Sequence, residues 1–394
     1  MVEGTGFENR HRGNPIVSSN LTSSANTIMK ILAIETSCDE TAIALLDISG
    51  PLEKPEIKVL GNSLMSQVAL HEQYGGVYPN LAKREHIKNL PILLEQTLKQ
   101  AFPSPEVQER AQGEVDCIAV TSGPGLEPAL WTGIEFAKNL SEKWGKPVVP
   151  VNHMEGHIYS VMFHDELAIS NSQFSKLELP ALALLISGGH TELVHIRDFG
   201  HYEIIGRTLD DAVGEAFDKV ARMLGLPYPG GPQISRLAEI ARQRNSEDLI
   251  KLPRPMIHSK DLNFSFSGLK TSVLYKVRDE GEITDEYKEE MARAFEDSVT
   301  EVLVSKTRRA LDNLQDIKTL IVAGGVSANA HISEAFKNLT EEFPNLTIKF
   351  PTRELSTDNA VMIGIAGFVK VRLSPHLLDQ PSELIAKGNL SLES

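Results

Sequence analysis

One arrangement of elements occurs twice in this chain, and the repetition limits the fold more than any other feature. Ile31 to Leu46 reads as an apolar run, a polar turn and an alternating run; Leu182 to Ile196 repeats that shape, with Glu40-Thr41 matching His190-Thr191. Both spell a strand–turn–strand hairpin. After the first hairpin, Cys117 to Gly125 is an apolar strand entering a glycine turn, followed by a helix (129–143) and a strand (147–151). After the second, Leu320 to Asn329 enters a Gly-Gly turn, followed by a helix (332–339) and a strand (346–350). Each of these is a βαβ-type unit.

Two such lobes facing each other are the plan of the actin, sugar-kinase and heat-shock ATPase superfamily, an α/β fold with its active site in the interlobe cleft. Glycine turns from both lobes meet phosphates there, because bare backbone N–H groups and helix N-termini bind anions. The predicted layout is a disordered extension (1–28), a first actin-like lobe (29–151 plus 351–375), a second lobe (152–350) and a C-terminal tail (376–394). The second lobe carries an insertion over 210–318. It holds a helix (212–224), the turn Tyr228-Pro-Gly-Gly-Pro232, the stretch Phe264 to Lys270 and a long helix (285–314). Met291, Phe295, Val299, Val302 and Leu303 form the core stripe of that helix.

Composition excludes several classes. No apolar run approaches the ~18 residues of a membrane span. Two cysteines, Cys38 and Cys117, rule out a disulfide framework or an all-cysteine zinc site and suit a reducing compartment. The net charge of −14 means that an RNA substrate would need a local basic patch or a partner protein. Residues 1–28 are rich in Ser, Asn, Thr and Gly and lack the apolar core of a secretory signal. Met29 looks like a natural start, and 1–28 are expected to be dispensable.

Asn152-His-Met-Glu-Gly-His157 follows a predicted strand. His153 and His157 are i and i+4, so on a helix both imidazoles face one metal. A zinc peptidase wants Glu directly after the first His; here Met154 stands there, and Glu155 lies roughly 200° around the helix. Asp358, just before an apolar helix (360–369), is the expected third ligand, with Thr357 or Asp358 capping that helix. Two imidazoles and a carboxylate with open positions suit Fe(II) or Zn(II). Ser187-Gly-Gly-His190 and Gly324-Gly-Val-Ser-Ala-Asn329 form the expected nucleotide cradle, with Asp218 placed for a ribose. Asp39 and Glu40, in the first hairpin turn, are the candidate general bases.

Nine motifs in order extend this reading: Glu35 to Thr41, Ser122 to Leu126, Asn152 to His157, Leu185 to Thr191, Gly214 to Lys219, Tyr228 to Pro232, Phe264 to Thr271, Gly324 to Asn329 and Thr357 to Asn359. Together they resemble the TsaD family, the bacterial tRNA N6-adenosine threonylcarbamoyltransferases, from about Met29 to Gly367. The resemblance implies transfer of a threonylcarbamoyl group from threonylcarbamoyl-AMP to N6 of adenosine 37, giving t6A in tRNAs that read codons beginning with A. It implies metal ligands His153, His157 and Asp358, with Fe(2+) favoured over Zn(2+). It implies substrate contacts at Leu185, Ile186, Ser187, Gly188, Gly189, Asp218, Gly231 and Asn329. TsaB-like and TsaE-like partner proteins and a cytoplasmic setting follow from the same resemblance. The chain departs from the family at Asn80 and Lys83, where Glu and Ser are expected, and at Glu127 and Trp131, where smaller apolar residues are. Rival readings are a sugar kinase or ATPase of the same fold, a metallopeptidase disfavoured by Met154, and a noncatalytic scaffold.

Overall fold

The computed structural model describes residues 28–102, 107–163, 176–244, 250–380 and 382–393. The expected extension lies outside these, apart from Ile28.

Two five-stranded sheets share one strand order. In the first, β1 (Met29–Glu35), β2 (Glu40–Ser49) and β3 (Glu56–Ser66) form an antiparallel meander; β4 (Cys117–Gly123) and β5 (Val148–Asn152) add in parallel beyond β1. In the second, β6 (Ala181–Ile186), β7 (Thr191–Asp198) and β8 (His201–Arg207) form the meander, with β9 (Thr319–Ala323) and β10 (Thr347–Lys349) parallel beyond β6. The duplication is therefore structural, and the fold is the expected two-lobe α/β architecture.

Alternation sorts the central strands onto two faces. Ile31 and Ala33 of β1, with Ala181, Ala183 and Leu185 of β6, enter one core shared by both lobes. Leu32 and Ile34 face an outer core, and Leu182, Leu184 and Ile186 face another. Strands buried on both faces read as unbroken apolar runs, as β1 and β6 do.

The first outer layer is α1 (Pro79–Ala101) and α2 (Glu127–Trp144). From β5 the chain passes directly into α3 (His153–Tyr159), between the lobes. The second outer layer is α4 (Val213–Met223), α5 (Gly230–Gln243), α6 (Ser267–Glu280), α7 (Asp285–Asn313) and α8 (Ala330–Lys337). The last long helix, α9 (Ala360–Leu373), is apolar all round, as a helix buried on every side must be. It returns to the first lobe and packs on β1 and β2. A Cβ on Gly364 would stand 2.2 Å from Leu46 Cδ1 and 3.3 Å from Ala33 Cβ, so glycine lets helix and sheet meet.

The third strands β3 and β8 were not expected from sequence. Both are edge strands with many exposed positions, which dilute the apolar signal. Among the described residues no helix is long and apolar enough to cross a membrane.

Candidate active site and metal centre

Asn152 ends β5 and caps α3, its side chain accepting from the Met154 amide at 2.9 Å. The helix so started puts the His153 and His157 rings 4.7 Å apart at 88°. Asp358 approaches from the N-terminus of α9. The cap of α9 is neither Thr357 nor Asp358 but Asn359, whose side chain accepts from the Met362 amide at 2.9 Å. This corrects the expected cap, and it leaves the Asp358 carboxylate uncommitted to the helix.

Asp358 Oδ1 lies 3.3 Å from Nε2 of both histidines. One ligand atom from each of the three residues falls within 4.8 Å of the others. His157 is fully buried, yet neither of its ring nitrogens has a hydrogen-bond partner; the 3.3 Å approach to Asp358 is not hydrogen-bond aligned. A buried imidazole with two idle nitrogens is costly unless something else engages it. Donors held ~2.1 Å from one ion stand about 3.0 to 3.4 Å apart. The three residues therefore fit a divalent metal.

His153 is oriented from behind. Its Nδ1 faces Glu35 Oε2 at 3.1 Å and Ser37 Oγ at 3.3 Å. Glu35 ends β1 fully buried and also accepts from Thr121 Oγ1 at 2.6 Å and from the Ser37 amide. A carboxylate taking the Nδ1 proton side leaves the Nε2 lone pair for a ligand, the usual arrangement behind a metal-bound imidazole.

Electrostatics agree with a charged cluster. Burial opposes ionisation of Asp358, but His153 and His157 outweigh it and hold the carboxyl well below its ordinary range. Burial likewise opposes charging of His153, and Asp358 and Glu35 reverse that and raise it. Burial lowers His157. His190, from the second-lobe turn, is pushed down to about 4 by burial, then by His153 and His157.

Glu155 faces away. Its carboxyl is raised by burial and lies among Lys370, Tyr202 and the Asn152 backbone, while Met154 is in the shared core. No carboxylate follows His153 into the site, as a zinc peptidase would need.

Asp39 and Glu40 sit in the β1–β2 turn beside this cluster. Burial, followed by the charges of Asp39 and Asp358, pushes Glu40 up to about 10. Its Oε1 accepts from Ser66 Oγ at 3.1 Å. Burial and the neighbouring carboxylates thus favour the protonated form of Glu40. Across the cleft stand Tyr228, raised by burial and then by the charges of Asp39 and Asp218, and Asp218, raised by burial against the opposing backbone hydrogen bonds of Gly230 and Gly231.

Beyond the metal residues opens a cavity of about 800 Å³, lined by Gly188, Gly214, Asp218, Gly231, the 326–329 turn, His331 and Ser356. Asp218 caps the start of α5: its Oδ1 accepts from the Gly230 amide at 2.7 Å, and the Gly231 backbone also hydrogen-bonds to its carboxylate. A Cβ on Gly188, Gly189 or Gly231 would meet nothing within 4 Å, so these glycines keep backbone open rather than relieve crowding. Gly324 is different: its φ is +94°, and a Cβ there would lie 2.4 Å from the Ile186 carbonyl oxygen, so it joins the two turns.

Other predicted contacts reach the cavity differently. Leu185 and Ile186 are wholly buried in β6, and their side chains fill two cores. Ser187 closes its own turn, its amide donating to His190 O at 2.9 Å and its Oγ accepting from the His190 amide at 3.1 Å. Asn329 caps α8, accepting from Ile332 N at 3.0 Å, and donates to the buried Glu296 at 2.5 Å. Both ends of its amide are engaged, so it shapes the wall.

Glu35 and Asn359 were not singled out for roles by sequence reasoning, and His190 was read only as part of the nucleotide cradle. A carboxylate closing an apolar strand was the available signal for Glu35.

Residues 58–365 match the family model described as TsaD: tRNA N6-adenosine threonylcarbamoyltransferase. A protein of that name from Persephonella marina is 44% identical over 358 residues, covering 90% of this chain and 94% of the relative. One from Paraburkholderia xenovorans is 43% identical, covering 88% and 94%. One from Thermosipho africanus is 40% identical, covering 92% and 100%. Among solved structures, T. kodakarensis HypF superposes with a TM-score of 0.53 at 14% identity, covering 90% of this chain and 49% of that one. Full-length HypF in its phosphate- and nucleotide-bound form gives 0.53 at 12%, covering 90% and 47%. The chain spans about half the length of those two structures, and at such identity they speak to the fold alone.

Proposed function

Since the chain belongs to the tRNA N6-adenosine threonylcarbamoyltransferase family and forms t6A in tRNA, we propose that threonylcarbamoyl-AMP fills the 800 Å³ cavity beside a divalent metal on His153, His157 and Asp358. The observation that carries this is His157, buried with both ring nitrogens idle and 3.3 Å from the Asp358 carboxylate. Fe(II) is our first choice and Zn(II) our second for two imidazoles and a carboxylate. Such an ion supplies Lewis acidity toward an oxygen of the donor.

The chain's own residues supply the rest. Glu35 fixes the ring of His153. Open backbone at Gly188 and Gly189 favours the phosphate. Asp218, whose carboxylate lines the cavity while it caps α5, is our choice for a ribose hydroxyl. The attacking group, the exocyclic amine of adenosine 37, is a weak nucleophile, so positioning must provide much of the rate. Its base lies in a single-stranded loop and can be turned into the cleft at modest cost. Asp39, in the turn beside the metal residues, is our choice of proton acceptor, because burial and the neighbouring carboxylates favour the protonated form of Glu40.

TsaB-like and TsaE-like proteins belong to the same reading, because a chain of net charge −14 grips RNA poorly alone. Two free cysteines, Cys117 buried and Cys38 half-buried, suit a cytoplasmic setting.

The test combines tRNA, threonylcarbamoyl-AMP, the chain and both partners, with and without a chelator. We expect t6A, its loss on chelation, recovery with Fe(II), and a loss of at least tenfold in Asp358→Ala. Formation of t6A that ignores both chelation and Asp358→Ala sinks the metal reading. A sugar kinase of this fold has no need of the histidine pair, so turnover unchanged by His153→Ala would favour it.

A further inference from the structure

The loop between β3 and α1 holds two exposed tyrosines that the reaction as described does not use. Tyr74 and Tyr78 stack with ring centroids 5.6 Å apart and planes 26° apart, and stand 56% and 51% exposed. A stacked pair of tyrosines, each with an apolar face and a polar tip left in water, is the kind of surface that ligands and partners contact. Lys83 and Arg84, just inside α1, are exposed and have no ion pair among the described residues. They follow Tyr78 by five and six residues, at the start of the helix that the tyrosine loop enters.

The loop is fastened to the catalytic turn. The Tyr78 amide donates to Nδ1 of the fully buried His71 at 3.2 Å, and His71 Nε2 meets Gln67 Oε1 at 3.3 Å. Gln67 Nε2 lies 3.3 Å from Nδ1 of the fully buried His86, whose Nε2 donates to the Cys38 carbonyl at 3.1 Å. The Gln67 amide donates to the Asp39 carbonyl at 2.9 Å. The other lobe also takes hold of it: Arg222 donates to the Gly75 carbonyl, one helical turn beyond Asp218 on α4. A stack held from both lobes, and tied to the turn beside the metal residues, marks the mouth of the cleft.

We propose that the Tyr74–Tyr78 stack is a landing platform for an unpaired nucleobase next to the one being modified, with Lys83 and Arg84 receiving the neighbouring phosphates. Single-stranded RNA is held by such pairings of aromatic faces with cations. The inference rests on the tRNA-modifying reading above.

The test uses the full chain with its partner proteins. Steady-state kinetics are run against tRNA and against threonylcarbamoyl-AMP, and an unmodified anticodon stem-loop is titrated by fluorescence anisotropy. Tyr74→Ala with Tyr78→Ala should raise the tRNA KM about 10- to 100-fold and weaken stem-loop binding equally, with the donor KM unchanged. Tyr74→Phe with Tyr78→Phe should stay within about twofold of wild type, since a phenyl face stacks as well. Lys83→Gln with Arg84→Gln should flatten the salt dependence of binding by about 1.4 in log–log slope, at ~0.7 for each phosphate no longer neutralised. An unchanged tRNA KM and stem-loop affinity in the alanine pair overturns the proposal. So does loss of a partner protein with RNA affinity intact, which would make the stack a protein-binding surface. If wild type makes no t6A but the alanine pair still loses the stem-loop, the platform stands and the transferase reading falls.

Discussion

At the scale of single residues, the site depends on one carboxylate that touches no substrate. Glu35 holds Nδ1 of His153 at 3.1 Å and is itself held by Thr121 and Ser37. Glu35→Gln keeps shape and bulk but removes the charge that favours an Nδ1–H imidazole. Groups in this position typically contribute 10- to 100-fold in metal affinity. Chelator competition should therefore show metal leaving Glu35→Gln at least tenfold more readily, with the thermal midpoint of the chelated protein little changed. Equal retention of metal would mean that Glu35 is only packing. A second residue gives a pH signature. Burial holds His86 below its ordinary pKa of 6.5, so the folded chain refuses a proton that the unfolded chain accepts. For a depressed group the stability is fully present above 6.5 and is lost as pH falls below it. The slope per group is at most about 1.4 kcal/mol per pH unit. Urea unfolding at pH 7.5 and 5.5 should show His86→Gln less stable than wild type at the higher pH and less sensitive to acid. A parallel loss in both proteins would refute this.

At the scale of elements, helix caps place the chemistry. Asn152 starts α3 and Asn359 starts α9, and between them they aim His153, His157 and Asp358 at one point. Asn359→Ala removes a cap of about 1 kcal/mol. It should also let the preceding residue turn inward, so metal affinity should fall by more than the tenfold or less that a 1 kcal/mol loss explains; metal titration set beside a urea melt reads both. A loss in the melt alone would detach Asp358 from its cap. These caps also show what was legible from sequence. The i,i+4 histidine spacing and the duplicated glycine turns are local patterns, and the structure carries both. The capping residue was read one or two positions early, because Thr357, Asp358 and Asn359 are all good caps and only packing chooses among them. β3 and β8 stayed hidden because edge strands need few apolar residues. The Ser187–Gly189 turn was legible as a turn, but Leu185 and Ile186 proved to be core whose side chains never meet the cavity. The roles of Glu35 and of the His71–Gln67–His86 chain rest on contacts between residues distant in sequence, which no periodicity reports.

At the scale of the whole molecule, one segment with no regular structure joins the two lobes. Residues 382–393 run past the first-lobe glycine turn, where the Lys387 amide donates to Ser122 O at 2.8 Å and the Gly125 amide donates to Gly388 O at 3.1 Å. The segment then reaches the start of the metal-bearing helix, where Asn152 Nδ2 donates to Ser391 O at 3.1 Å. It ends on the second lobe, with Glu393 Oε1 accepting from the Ile204 amide of the β8 edge at 2.7 Å. Ala386 and Leu392 are buried along the way, one in the outer core of the first lobe and one in the core that both lobes share. The strap thus crosses from lobe to lobe beside Asn152, the residue that caps the helix of His153 and His157. A chain ending at residue 381 leaves the side-chain amide of Asn152 and the edge of β8 to water, while the sheets and α9 keep their own packing. The expected result is a folded protein in which amide exchange rises along β5, α3 and β8, and metal leaves faster in chelator. Exchange that rises only at the new terminus, with unchanged metal release, would make the strap a passive covering. Unfolding of the whole chain would instead make it part of the core, so the two thermal midpoints are measured first.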